Sequence, residues 1–265
     1  PSIPLVEGMA QEESERGRFT YGSVRLWGSL GFIVTTLVYG RLLDRQPVET
    51  ILYGLIVWTA LNALGAGGLP SRGAHPLPAR RSLRRELRRP DVLRFLAATA
   101  LMQASHGAYY AYFSLHLDRH GFSRFAIGGY WTLAGVAEIG MMILSGRLLA
   151  RADPTRWISV SLAAAGLRWL LLMAGVHPLL LACGQLLHAF SFGLFHVAAV
   201  TATHLLFPDS LRSSGQSLYS SLTYGLGNLL GFFGCAALLE SVGIVGLFGL
   251  SSALAWVALV VSLPL

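Results

Sequence analysis

The sequence predicts an all-α, polytopic transmembrane helix bundle, and three observations carry that reading. Apolar residues make up 54% of the chain and charged residues 12%, with a mean hydropathy of +0.57; a soluble domain carries about twice that charged fraction. Eight segments reach the length of about 20 mostly apolar residues that a bilayer crossing needs: 24–43, 48–67, 92–117, 124–149, 157–175, 179–207, 215–239 and 243–263. None of them alternates in the manner of a membrane β-strand, and a backbone in lipid must satisfy its own hydrogen bonds, so helices are the expected form.

Each span is bounded by polar joints that break helices. DRQPVE (44–49) separates the first two spans, RADPTR (151–156) the fourth and fifth, GVHP (175–178) the next pair, and FPDS (207–210) the sixth and seventh. Pro and Gly recur there because one lacks a backbone donor and the other tolerates the turn. Residues 1–10 read as the tail of one further helix. The expectation is therefore about eight full spans plus the end of a ninth, truncated at the N-terminus.

Arginine sets the orientation. All 20 basic residues are Arg, and the one long linker, GLPSRGAHPLPARRSLRRELRRPD (68–91), holds seven of them against Glu86 and Asp91. With that linker cytoplasmic, 14 arginines lie on its side (Arg16, Arg18, eight from Arg72 to Arg94, Arg147, Arg151, Arg156, Arg212). The opposite side holds four: Arg41, Arg45, Arg119 and Arg124. Such asymmetry is what positive-inside orientation produces. The basic linker is read as an anchor at anionic headgroups, not as a nucleic-acid site.

The linker also divides the chain into 1–67, the remainder of one helical half (end of helix 4, helices 5 and 6), and 92–265, a six-helix half (helices 7–12), with 68–91 between them. GRLLDR (40–45) and GRLLAR (146–151) close the first and fourth spans, which is consistent with an internal repeat. Cys183 and Cys235 sit in apolar runs as small hydrophobes. The GxG of YGLGNLLGFFG (224–234) has no strand before it, so Gly227 and Gly231 are read as a close-packing step. No nucleophile elbow, phosphate loop or CxxC occurs, the histidines match no metal box, and neither an enzyme nor a cofactor beyond a coupling ion is expected.

Ionisable groups inside spans mark functional sites by default. Glu138, in LAGVAEIGMMIL (133–144), shares a helix face with Trp131, Ala134, Gly135 and Met142, as a cavity wall would; a structural carboxylate is the alternative. Arg168 lies in the next span, roughly 7–10 Å further out at about 1.5 Å per residue, within reach of Glu138 by side-chain length and tilt. In LMQASHGAYYAYF (101–113), Gln103, His106 and Tyr110 put amide, imidazole and phenol on one face, a binding wall for a polar or aromatic solute, or else a packing histidine. His188, His196 and His204 form a drifting stripe in the sixth span, with His188 nearest mid-membrane. Glu7 and Arg25 are the other charge pair expected to meet at similar depth, unless Arg25 snorkels to the interface.

YGSVRLWGSLGF (21–32), LMQASHGAYYAYF, GGYWTLAGVAEIGMMILSGRLLAR (128–151) and QLLHAFSFGLFHVAAV (185–200) resemble the 3-phenylpropionic acid transporter group of the major facilitator superfamily. That group is similar to the lactose permease-like proton symporters. The resemblance covers nearly the whole chain and implies two six-helix halves and proton-coupled solute uptake across a bacterial inner membrane, with linker and C-terminus cytoplasmic. It places Glu7 at the family's acidic position, Arg25 at its VRLWGS arginine, Glu138 and Arg168 at proton-coupling positions, and His188 near the histidine of the tenth helix. The tenth-helix carboxylate of lactose permease has no counterpart here, so Glu138 or a histidine must carry the proton. The expected protein is a monomeric symporter for a small organic solute, an aromatic carboxylate foremost. Tyr109, Tyr110 and Trp131 suit a sugar or nucleoside too, and a non-transporting sensor or scaffold of the same fold is the further alternative.

Overall fold

The computed structural model describes residues 21–68 and 80–263, and regular structure there is helical throughout. Helices α1 (Tyr21–Leu43) and α2 (Thr50–Gly67) precede the linker, whose end forms the short α3 (Arg80–Glu86). Then follow α4 (Pro90–Ser105), α5 (Gly107–Arg119), α6 (Arg124–Leu149), α7 (Pro154–Met173), α8 (Pro178–Leu186), α9 (Phe195–Leu206), α10 (Arg212–Ser220) and α11 (Asn228–Ser262). Two π-helical stretches, Ala189–Leu194 and Ser221–Gly227, join α8 to α9 and α10 to α11.

Among the described residues, five continuous helical stretches are long and apolar enough to cross a membrane: Thr50–Gly67, Arg124–Leu149, Pro154–Met173, Pro178–Leu206 and Ser214–Ser262. The last contains two of the expected segments, 215–239 and 243–263. Gly243 divides them with φ +67° and ψ 176°, a positive-φ conformation that glycine reaches without the penalty a Cβ would bring. The segment 92–117 is not one continuous helix. It breaks at His106, whose N–H bonds Gln103 O instead of the α-helical partner Met102 O; that carbonyl takes up the Ser105 hydroxyl at 2.6 Å and His106 Nδ1 at 2.9 Å. Short polar side chains thus satisfy a backbone group that the break releases.

The helix starts follow their sequence signals. Asp153 accepts from Thr155 N at 2.8 Å and from its hydroxyl at 2.7 Å, with Pro154 in the first turn of α7. These bonds hold the Asp153 carboxyl below its ordinary range. His177 caps α8 in the same manner, ahead of Pro178. At the end of the linker, Arg89 donates to Asp91 (2.6 Å), Glu86 (2.7 Å) and the last-turn carbonyl of Leu206 (3.0 Å). Its hydrogen bond keeps Asp91 below the usual carboxylate range.

The core gathers on α4–α9 and the second half of α11, around Phe95, Tyr109, Phe113, Trp169, Phe195 and Phe248. Close seams rest on glycine. An added Cβ at Gly231 would stand 2.6 Å from Ala104 O, and one at Gly227 would stand 2.7 Å from Ala100 O, so the expected GxxxG step packs α4 against the start of α11. Along α1 and α6, an added Cβ at Gly128 would stand 2.7 Å from Thr36 O and one at Gly40 3.0 Å from Arg124 O, with Thr36 and Thr132 hydroxyls 3.2 Å apart. Helix α2 buries none of its residues, and its apolar surface faces outward all round.

Candidate functional site

Glu138, Arg168 and His188 converge where α5, α6, α7 and the stretch running on from α8 meet. Counted at about 1.5 Å per residue from the helix ends opposite the linker, they lie roughly 8–21 Å deep. Arg168 of α7 is fully buried. Its Nε donates to Gly184 O at 2.9 Å, Nη1 to Ser191 Oγ at 3.3 Å and Nη2 to Gln185 Oε1 at 3.3 Å. The Tyr109 ring lies 4.1 Å from the guanidinium carbon and the Trp169 ring 4.5 Å. Desolvated cation–π contacts of this kind contribute about 2 kcal/mol or more each.

Glu138 pairs with His188: Oε2 is 3.4 Å from Nε2, with side chains 14% and 8% exposed. The expected Glu138–Arg168 pair is not what forms. Arg168 runs along α8 and commits its donors to Gly184, Gln185 and Ser191, whereas the imidazole of His188, on the following turn, meets the carboxylate. Among the described residues no carboxylate lies within ion-pair distance of Arg168. The π-helical stretch supports this placement. It brings Gly193 against α6, where an added Cβ would be 3.3 Å from Glu138 O, and π-turns of this sort recur at functional sites.

His106 and Tyr110 fall beside this pair, as an aromatic wall. Their rings stack at 5.7 Å, His106 meets Trp169 edge-on at 4.9 Å, and the His106 and His188 rings are 6.5 Å apart. Tyr110 and Trp131 lie near parallel at 6.4 Å, and Tyr109 reaches Trp131 at 4.6 Å. Trp131 Nε1 donates to Ser114 Oγ at 2.9 Å. Gln103 faces elsewhere: its amide donates to Asn228 Oδ1 at 2.8 Å, holding α4 to α11. His196 is 2.8 Å from the Tyr224 hydroxyl, one turn beyond the site, and His204 is half-buried in the last turn of α9. Glu7 lies outside the described residues, as does the Arg25 side chain, although its backbone belongs to α1.

Three members of the site were not singled out from the sequence: Gln185, Ser191 and Trp169. Gln185 and Ser191 stand three residues either side of His188, so the i, i+3 rule that gathered Gln103 and His106, applied along the sixth span, would have found them. Trp169 adjoins Arg168 in sequence, and its ring lies 4.5 Å from the guanidinium carbon, a contact that no spacing reveals.

The MFS_1 like family model matches residues 1–250 of the chain. The chain is 30% identical over 207 residues to a "Probable 3-phenylpropionic acid transporter" of Escherichia coli (strain K12), covering 76% of this chain and 54% of that protein. It is 28% identical over 227 residues to a maltose permease of Geobacillus stearothermophilus, covering 85% of this chain and 58% of the relative. The chain thus spans a little over half the length of these relatives. A crystal structure of the nucleoside transporter NupG superposes with a TM-score of 0.75 over 91% of this chain and 66% of its own, at 17% identity, a likeness of fold. With its helical architecture and the match across nearly its whole length, the chain belongs to the MFS_1 like family, a family of membrane transporters and not of enzymes.

Proposed function

We propose that the protein is a proton-coupled secondary transporter for a small aromatic carboxylate, working by alternating access. The observation that carries this reading is the state of Arg168: a fully buried guanidinium between two aromatic rings, with no carboxylate at ion-pair distance among the described residues. A charge at such depth costs about 2.5–3.5 kcal/mol even on insertion scales, and a bound organic anion would offset much of it. Trp131 and Tyr110, both half-buried, supply faces on which a substrate ring can stack.

The coupling chemistry follows from charge. Ionised Glu138 beside the anion site repels an incoming carboxylate, because like charges at low dielectric interact strongly. A proton taken up by the Glu138–His188 pair removes that repulsion, so proton and anion favour each other's binding and travel together. No other cofactor enters. The one-sided arginines support an orientation with the linker cytoplasmic, and the relatives in Escherichia coli and Geobacillus support a bacterial inner membrane.

The test uses the intact protein in proteoliposomes under an inward proton gradient. Uptake of 3-phenylpropionate should accumulate above equilibrium and collapse with a protonophore. Absence of solute-dependent flux with any aromatic acid or sugar would sink the transporter reading in favour of a sensor or scaffold. A second reading, symport of a sugar or nucleoside, is favoured by the same Tyr110–Trp131 platform and by the named substrates of the relatives; competition by neutral solutes and not by acids would select it.

A further inference from the structure

Gln185 of α8 is fully buried, and its two amide atoms are used unequally. Its Oε1 accepts from the Tyr109 hydroxyl at 2.9 Å and from Arg168 Nη2 at 3.3 Å. Its Nε2 is buried and has no hydrogen-bond partner. The amide cannot be turned over to relieve this. A guanidinium has only donors, so the oxygen must face Arg168 and the –NH2 must face away from it. Two side chains therefore lock one donor group in place and leave it unused, in a position where an unmade hydrogen bond is expensive. The –NH2 stands within one amide width of the atom that bonds Arg168, and His188, the proton-carrying partner of Glu138, is one helical turn along the same face.

We propose that Gln185 is the second arm of an anion clamp: Arg168 takes one oxygen of the substrate carboxylate and Gln185 Nε2 takes the other. This deepens the reading of the site given above and rests on it for the anionic class of the substrate. Donor pairing of this kind selects an organic carboxylate over its ester, because the ester keeps a carbonyl for Arg168 but replaces the second acceptor with a poorly accepting alkoxy group. Gln185 is a specificity-determining contact whose –NH2 touches the ligand and whose carbonyl orients Arg168.

The experiment is ligand binding to the purified intact protein, read by tryptophan fluorescence and by thermal shift, with 3-phenylpropionate, hexanoate and the methyl ester of each. Wild type is expected to prefer each acid to its ester. In Gln185→Leu the acid should weaken about tenfold or more while the ester changes less than twofold. Parallel weakening of acid and ester would show that the residue only holds Arg168, and would overturn the clamp. Gln185→Glu keeps shape and the Oε1 bonds, so it carries the test if the leucine variant does not fold. It should abolish acid binding by placing an internal carboxylate beside Arg168, and unchanged acid binding would overturn the proposal. A wild type with no preference for either acid over its ester also overturns it. Hexanoate binding without 3-phenylpropionate binding would leave the clamp standing and remove the aromatic class; phenylpropionate transport with an unaltered acid-to-ester ratio in both variants would do the reverse.

Discussion

Glu138 and Arg168 carry charges that a hydrocarbon layer rejects, and the protein handles them by different means. Glu138 meets an imidazole that can take or release a proton, and Arg168 is held by a carbonyl, a hydroxyl, an amide and two rings. That difference separates their roles in the proposed cycle. Glu138→Gln should abolish uphill accumulation, at least tenfold in a proteoliposome assay, while substrate exchange persists and the protein remains folded. Arg168→Lys should not rescue Arg168→Gln, because an ammonium keeps the charge but loses the planar fork and the double ring contact. Binding should fall by about two orders of magnitude in both, and retained affinity in the lysine variant would place recognition elsewhere.

Among the helices, glycine seams and loop charges govern how the elements meet. Gly231→Leu should destabilise the α4–α11 contact by about 1–3 kcal/mol, the range for overpacking, since even its Cβ would press on Ala104 O. A melting temperature unchanged in detergent would contradict that. The Arg89–Asp91 pair gives a pH-dependent term of known sign. The folded-state pKa of Asp91 is lowered, so its contribution is present above the ordinary Asp range of about 4 and is lost as pH falls through the folded value. Both partners are about two-fifths exposed (42% and 38%), so Arg89→Ala should cost only about 0–1 kcal/mol at pH 7. The gap in thermal stability between the variant and the wild type should narrow on acidification below pH 4, leaving what the Leu206 carbonyl bond contributes. Legibility at this scale was uneven. Proline and polar joints marked the helix starts near Pro154 and Pro178, whereas Pro90, read as part of the linker, opens α4, and nothing in the sequence marked the break at His106 or the π-helical stretches. Those arise where neighbouring helices approach: Gly107 packs directly on the Gly231 backbone.

For the molecule as a whole, the joint between α1 and α6 shows how sequence-distant helices are tied at the end opposite the linker. The Asp44 carboxylate accepts from Arg124 N at 2.8 Å at the start of α6, and the Arg124 guanidinium donates to Leu43 O and, at 3.3 Å, Gln46 O at the end of α1. An anion thus caps a helix N-terminus and a cation a helix C-terminus, each favoured by the helix dipole. Arg124→Ala should lower stability by about 1–2 kcal/mol and loosen this end, read as faster labelling of a cysteine placed at Gln46. An unchanged labelling rate would argue against the tie. Composition, span length and the arginine asymmetry determined that this chain is a helical membrane protein, because the bilayer imposes those requirements on any sequence residue by residue. They also named Glu138, Arg168 and His188, since each is anomalous in an apolar run. Which of the three pair with one another was decided by the tertiary structure alone. Partners across helices depend on rotation and depth to within a few ångströms, and Gln185, unremarkable in sequence, became part of the site only when α7 and α8 brought its carbonyl to Arg168 and left its amide nitrogen without a partner.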